Sequence, residues 1–208
     1  MILALLVILS YANSLQNGFT WDDNQQILMN PALRPGASLS PLFSSGVWAF
    51  YHSASASHND YYRPLQMITY RAAISIRGFD PVVFHAISIL FAAAATVLAF
   101  ALFCRLTQRA AVAFTAAALF AVHPVHTEAI DWASALPDIG CTIFLLAGFL
   151  LFLELAGRPA MRDRLALWVC NELPVWMLSL ACFAAALLWK ETAAVFPLLV
   201  AASVFLTP

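Results

Sequence analysis

Charge is scarce in this chain. Only 10% of its 208 residues are Asp, Glu, Lys or Arg and 62% are hydrophobic, whereas a soluble domain carries about 25% charged residues. The deficit excludes an ordinary soluble domain and indicates an integral membrane protein. A basic excess is missing too: the formal net charge is −1, so no broad positive field points to nucleic acid as a partner. The four cysteines, Cys104, Cys141, Cys170 and Cys182, fall in apolar runs or in a loop assigned below to the cytoplasm. No disulfide framework or thiolate zinc site is therefore indicated. No sequence repeat is present, and no Gly-rich phosphate loop of the soluble nucleotide-binding kind.

What is present is a series of apolar runs. Crossing an apolar core about 30 Å thick takes roughly 20 helical residues. Segments 82–104 (broken mainly by His85), 139–156 and 173–189 have that character. Segments 110–123 and 192–206 are shorter and pass with their flanks. Segment 1–15 is short as well. A signal peptide cleaved after 12–14 is the alternative there, but its basic leading region is missing, so 1–15 is read as a first span. Residues 173–206 cannot be one helix, since at 1.5 Å per residue they would run to roughly 50 Å. Lys190-Glu191-Thr192 therefore marks a tight turn. The expected fold is all-α: a polytopic transmembrane bundle of about six spans, with a long outer loop over 16–80.

Orientation follows from the short loops. Arg105 and Arg109 lie in one, and Arg158, Arg162 and Arg164 in another two crossings later. The positive-inside rule makes both cytoplasmic. The loop between them, 124–138, has no Lys or Arg but holds Glu128, Asp131 and Asp138, and so faces outward with 16–80 and the Lys190 turn. Within 16–80, "SLSPLFSSGVWAF" and "YYRPLQMITYRAAISIRG" read as short helices along the membrane interface, where Trp and Tyr are favoured. "YHSASASHND" between them reads as a flexible connection.

Two outer clusters carry the polar chemistry. In "NGFTWDDNQQILMN", Asp22 and Asp23 follow the first apolar run directly. An Asp there can cap a short helix starting near Asn24. A carboxylate at this boundary can instead act as general base on an acceptor hydroxyl. Adjacent residues point in different directions, so the two can divide these roles. In "HPVHTEAIDWASALPD", Pro124 suits a helix start. Glu128 and Asp131, three apart, share a helical face. His123 and His126 read either as satisfied interfacial histidines or as partners of a carboxylate around a divalent metal, at loose spacing. Arg63 in "YYRP" and Lys190 in "WKET" are cations suited to pairing with these acids or to holding a phosphate.

Taken together, "YANSLQNGFTWDDNQQILMNP", "YYRPLQMITYR", "GFDPVVFHAISILFAAAA", "ALFAVHPVHTEAIDWASALPDI" and "LLWKETA" resemble, in this order, membrane glycosyltransferases of the GT-C type. The likeness is greatest to the TMTC-type protein O-mannosyltransferases and their bacterial relatives. It implies that 1–208 is the amino-terminal part of a longer membrane enzyme. It also implies a polyprenyl-phosphate-linked sugar donor (mannose among the sugars) and inverting transfer to a protein, lipid or glycan acceptor. The site would be extracytoplasmic, in a bacterial inner membrane. Matched residue by residue, the first-loop acidic motif falls on Asp22 and Asp23. The second outer-loop motif falls on His123, His126, Glu128 and Asp131. Donor phosphate would fall to Arg63 and Lys190. Relatives usually carry Gly-Arg before the Pro-Asp of the second loop. Here the sequence is Ala135-Leu136-Pro137-Asp138, so one cation is absent.

A rival reading is a non-catalytic membrane protein, a transporter piece or assembly scaffold. A transporter places polar residues at mid-bilayer in broken helices. Here the acids crowd one rim, which favours an enzyme.

Overall fold

The computed structural model describes residues 1–50, 61–156 and 172–206. Among them the regular elements are helical: α1 (Ile2–Tyr11), α2 (Ser40–Ser44), α3 (Pro64–Arg77), α4 (Pro81–Thr107), α5 (Ala110–Val122), α6 (Thr127–Asp131), α7 (Leu136–Ala156), α8 (Leu173–Trp189) and α9 (Phe196–Leu206). Short 3₁₀ turns extend or join them, and Asn24–Met29 forms one π-helical turn. The connection expected over 51–60 and the loop with Arg158, Arg162, Arg164 and Cys170 lie outside the described residues.

Each expected span is helical, but they differ in length. Two helices are long and apolar enough to cross a membrane: Pro81–Thr107, and Ala133–Leu155, which is α7 with the turn before it. A third arises if α5 and Pro124–Asp131, bent by 46°, are counted together. Ile2–Gln16, Leu173–Trp189 and Glu191–Ser203 are shorter apolar helices. The break expected near Lys190 is present. Lys190 is extended (φ −157°, ψ 138°) and ends α8, and a 3₁₀ turn, Glu191–Val195, leads into α9.

Local chemistry explains the boundaries. Gly78, at φ 66°, ends α3 in a conformation that costs other residues more. Asp80 then caps α4, its Oδ1 accepting from the Val82 N–H at 3.0 Å, with Pro81 in the first helical position. At the far end Gln108 closes α4 in the left-handed region, at φ 54°.

α4 is the centre, packed against α1, α3, α5, α6 and α7. α7 and α8 lie closest, because small residues line their contact. A Cβ on Gly140 would fall 2.4 Å from the Trp189 ring, and the Ser179 hydroxyl donates to the Gly148 carbonyl at 2.8 Å. Small residues permit such approaches between membrane helices.

The outer loop is a folded cap. Ile27, Leu33, Leu42 and Val47 form one core with Met67, Tyr70, Phe84 and Trp189. α3 is thus more than an interfacial helix. It buries Gln66, Met67, Tyr70 and Ala73 while Ile76 stays exposed. The Arg71 guanidinium fastens the cap by donating to the Arg34 and Ala37 carbonyls.

Candidate active-site cleft

The chain passes from α1 through the 3₁₀ turn Ala12–Gln16 into the acidic motif. There Trp21 adopts φ 48°, a left-handed conformation that is uncommon for a bulky side chain. The turn sends the next two carboxylates to different places. Asp22 is half-buried and lines a cleft of about 410 Å³. Asp23 is fully buried and lies outside that lining.

Asp23 is an anchor. Its Oδ2 accepts from the Thr20 N–H at 3.0 Å, and its Oδ1 accepts from the Ser134 N–H at 2.7 Å and the Ser134 hydroxyl at 2.5 Å. It precedes the turn Asn24–Met29, as the capping reading expects, but its side chain makes no bond to that turn. The carboxylate instead ties the first outer loop to the second.

The second outer-loop residues separate. Glu128 is exposed on the cleft wall. Asp131 accepts from the Ser14 hydroxyl and is not among the cleft residues. Both lie within the five-residue helix α6, three apart as expected, but Glu128 lines the cleft while the Asp131 carboxylate is taken by Ser14. His123 Nδ1 accepts from the Val125 N–H at 3.2 Å and so caps the turn Pro124–His126. The His126 ring packs 4.4 Å from that of Phe120, beside a second, apolar cavity of about 160 Å³. Both histidines serve the local fold. Among the described residues no three His, Cys, Asp or Glu side chains are grouped to hold a metal ion.

Both expected cations reach the cleft, and each is already paired. Arg63 grips Glu191 with two bonds, Nη2 to Oε1 at 2.7 Å and Nε to Oε2 at 3.2 Å, while its guanidinium lies 4.5 Å from the Tyr61 ring centre. Lys190 Nζ donates to Asp138 Oδ1 at 2.5 Å. The adjacent residues Lys190 and Glu191 therefore clasp α7 and the start of α3. Burial acts to raise the Glu191 pKa, but hydrogen bonds from Arg63 and the charges of Arg63 and Lys190 outweigh it, so the net shift is downward. Among the described residues neither Asp22 nor Glu128 has an ion-pair partner, which leaves the cleft acidic beyond its two clasped pairs. Trp48, Tyr61 and Trp132 supply aromatic walls.

Sequence reasoning missed the polar layer beneath the cleft. Gln66 donates to Gln26 Oε1 at 2.9 Å and to the Tyr70 hydroxyl at 2.8 Å, and Tyr70 donates to the Ala133 carbonyl at 3.0 Å. Gln66, set between Leu65 and Met67 in α3, was the available signal; Gln26 closes a polar run and gave none. His85, noted as the break in its span, is fully buried and within electrostatic reach of Asp23 and Asp131.

No protein-family model matches the chain, and no solved structure matches it. Known proteins do. The chain is 34% identical over 176 residues to the mouse protein O-mannosyl-transferase TMTC3, across 85% of this chain and 18% of that protein. It is 38% identical over 142 residues to human TMTC1, across 67% of this chain and 16% of the relative, and 29% identical over 181 residues to human TMTC2, across 87% and 21%. The chain thus spans about a fifth of the length of the curated relatives it matches.

Proposed function

From a chain homologous over most of its length to TMTC-type protein O-mannosyl-transferases, we propose that this protein is the amino-terminal part of a membrane glycosyltransferase. It moves a sugar, mannose by this homology, from a polyprenyl-phosphate donor to a protein hydroxyl on the extracytoplasmic face of the membrane. The observation that carries the reading is the meeting of Asp22, Arg63 and Lys190 on one cleft, although 168 positions separate the first from the last (22 to 190).

In this mechanism Asp22 takes the proton of the acceptor hydroxyl as its oxygen bonds to the anomeric carbon of the sugar. The bond from that carbon to the phosphate oxygen breaks on the opposite face, so the configuration inverts. Polyprenyl phosphate leaves with the bonding electrons. Arg63 and Lys190 meet its charge with charge-assisted hydrogen bonds. To do so they exchange carboxylate for phosphate. Glu191, with 53% of its side chain exposed, swings into water while Arg63 stays on Tyr61. Glu128 and the aromatic walls shape the acceptor side. Holding donor, acceptor and base at one boundary supplies much of the rate advantage through orientation.

The test is transfer of labelled mannose from polyprenyl-phosphate mannose to protein by membranes containing the full-length enzyme. Arg63→Ala and Lys190→Ala should each raise the donor KM and lower kcat, because the phosphate gains charge as it leaves. Wild-type transfer with an unchanged donor KM in both variants contradicts the phosphate role. No transfer from this donor contradicts the reading as a whole.

A further inference from the structure

The polar layer under the cleft has a fixed direction, and it can be read from its one unambiguous end. The Ala133 carbonyl can only accept a hydrogen bond. Tyr70, fully buried, donates its single hydroxyl proton there at 3.0 Å. Burial pushes the Tyr70 phenol well above its ordinary pKa, so that proton stays in place. With its proton committed, the Tyr70 oxygen must accept from its neighbour Gln66, also fully buried, at 2.8 Å. Gln66 therefore presents its NH₂ group on this side. The same nitrogen donates its second hydrogen to Gln26 at 2.9 Å, so Gln26 must present its oxygen inward. Its own NH₂ is left facing the other way, toward the cleft that Gln26 lines beside Asp22.

The opposite polarity fares worse. Turning both amides over would set Gln66 Oε1 against the Tyr70 oxygen, two acceptors facing each other, or draw the Tyr70 proton away from the Ala133 carbonyl and leave that acceptor without its donor. It would also bury both Gln66 N–H groups without a partner. The arrangement present leaves only Gln66 Oε1 unpartnered, a smaller loss than two orphaned donors. Gln26 is only 5% exposed, and its NH₂ makes no hydrogen bond among the described residues. It is a buried donor without a partner on the lining of the cleft.

An acceptor-only group and a donor-only group side by side read a hydroxyl, which has a proton to give and lone pairs to fill. Asp22 takes the first part, and the Gln26 NH₂ suits the second. We propose that Gln26 is a specificity-determining residue of the cleft, donating through its Nε2 to the oxygen of the acceptor hydroxyl whose proton Asp22 removes. This rests on the transferase reading above. Gln26 makes no bond and breaks none. It orients the hydroxyl so that its proton points at Asp22 and a lone pair is free for the anomeric carbon. A thiol or an ether offers that pair of groups a poorer match.

Two experiments test this on the full-length protein. The first needs no turnover. In the protein labelled with ¹⁵N-glutamine, hydrogen exchange of the side-chain amides should be slow at Gln66 and fast at Gln26, and Tyr70→Phe should accelerate Gln66. Slow exchange at Gln26 with fast exchange at Gln66 overturns the assigned polarity. The second uses polyprenyl-phosphate mannose and a serine peptide. Gln26→Met should raise the peptide KM and lower kcat/KM for the peptide roughly three- to tenfold, the range of one hydrogen bond, with the donor KM unchanged. Gln26→Glu should move the acid limb of the pH profile upward, because a second carboxylate beside Asp22 disfavours its ionised form. A peptide KM and an acid limb unchanged by both variants overturn the specificity role. A wild-type enzyme that transfers nothing from this donor refutes the transferase reading instead, and with it the hydroxyl contact, while the exchange measurement still decides the amide polarity.

Discussion

Replacing Asp23 with alanine separates the two adjacent carboxylates most sharply. The substitution removes the acceptor of the Thr20 N–H and of the Ser134 N–H, at 3.0 and 2.7 Å, and frees the Ser134 hydroxyl. The hydroxyl can rotate to another acceptor, but the two main-chain donors cannot. Each partly or fully buried orphan costs about 1–3 kcal/mol. Removing a buried negative charge gives some of that back, so the net loss is roughly 2–4 kcal/mol. For a chain of this size that lowers the unfolding midpoint by about 5–15 °C. Asp22→Ala, at a half-buried position without an ion-pair partner among the described residues, should stay within about 0.5 kcal/mol of wild type. The assay is thermal unfolding of the purified protein in detergent, followed by tryptophan fluorescence. Asp23→Asn, which keeps one oxygen, should fall between. Equal midpoints for Asp22→Ala and Asp23→Ala would refute the anchor.

Other outcomes follow from the same geometry. Gly140→Ala places a Cβ 2.4 Å from the Trp189 ring, so it should destabilise by about 1–3 kcal/mol through overpacking; Gly140→Ala combined with Trp189→Leu should recover part of that midpoint. The folded pKa of Glu191 lies below its unfolded value. The stability from its pair with Arg63 is therefore fully present above the unfolded value and lost as pH falls through the lower folded one. The difference in midpoint between wild type and Glu191→Gln should be flat from about pH 6 to 8 and vanish only in acid. For topology, a cysteine at position 128 should react with an impermeant thiol reagent from outside and one at position 105 should not; labelling with the opposite sidedness would reverse the bundle and remove the cleft from the donor's side.

Much of the bundle was legible because its signals are local. Apolar run length marks α4 and α7, and the length limit on 173–206 demands the break at Lys190. The cleft was legible in part. Arg63, Lys190, Asp22 and Glu128 are legible as charges of the outer face, while their meeting on one cleft is set by the tertiary fold. Three things were hidden. The division between Asp22 and Asp23 is set by a left-handed Trp21, a conformation no propensity assigns to tryptophan. The parting of Glu128 from Asp131 comes from the Ser14 hydroxyl, 117 positions from Asp131, which engages the Asp131 carboxylate. The Gln26–Gln66 pair joins residues 40 apart, and nothing local announces that one glutamine will orient the other.

The central claim is that Asp22 is the base, and substituting asparagine tests it most directly. In the full-length enzyme, Asp22→Asn keeps the side chain's shape and should leave the unfolding midpoint and the donor KM near wild type. Mannose transfer from polyprenyl-phosphate mannose should fall by about 10²–10⁴-fold, the usual contribution of a general base. Transfer within a few-fold of wild type in Asp22→Asn, measured on protein that is equally stable and binds donor equally well, contradicts the account.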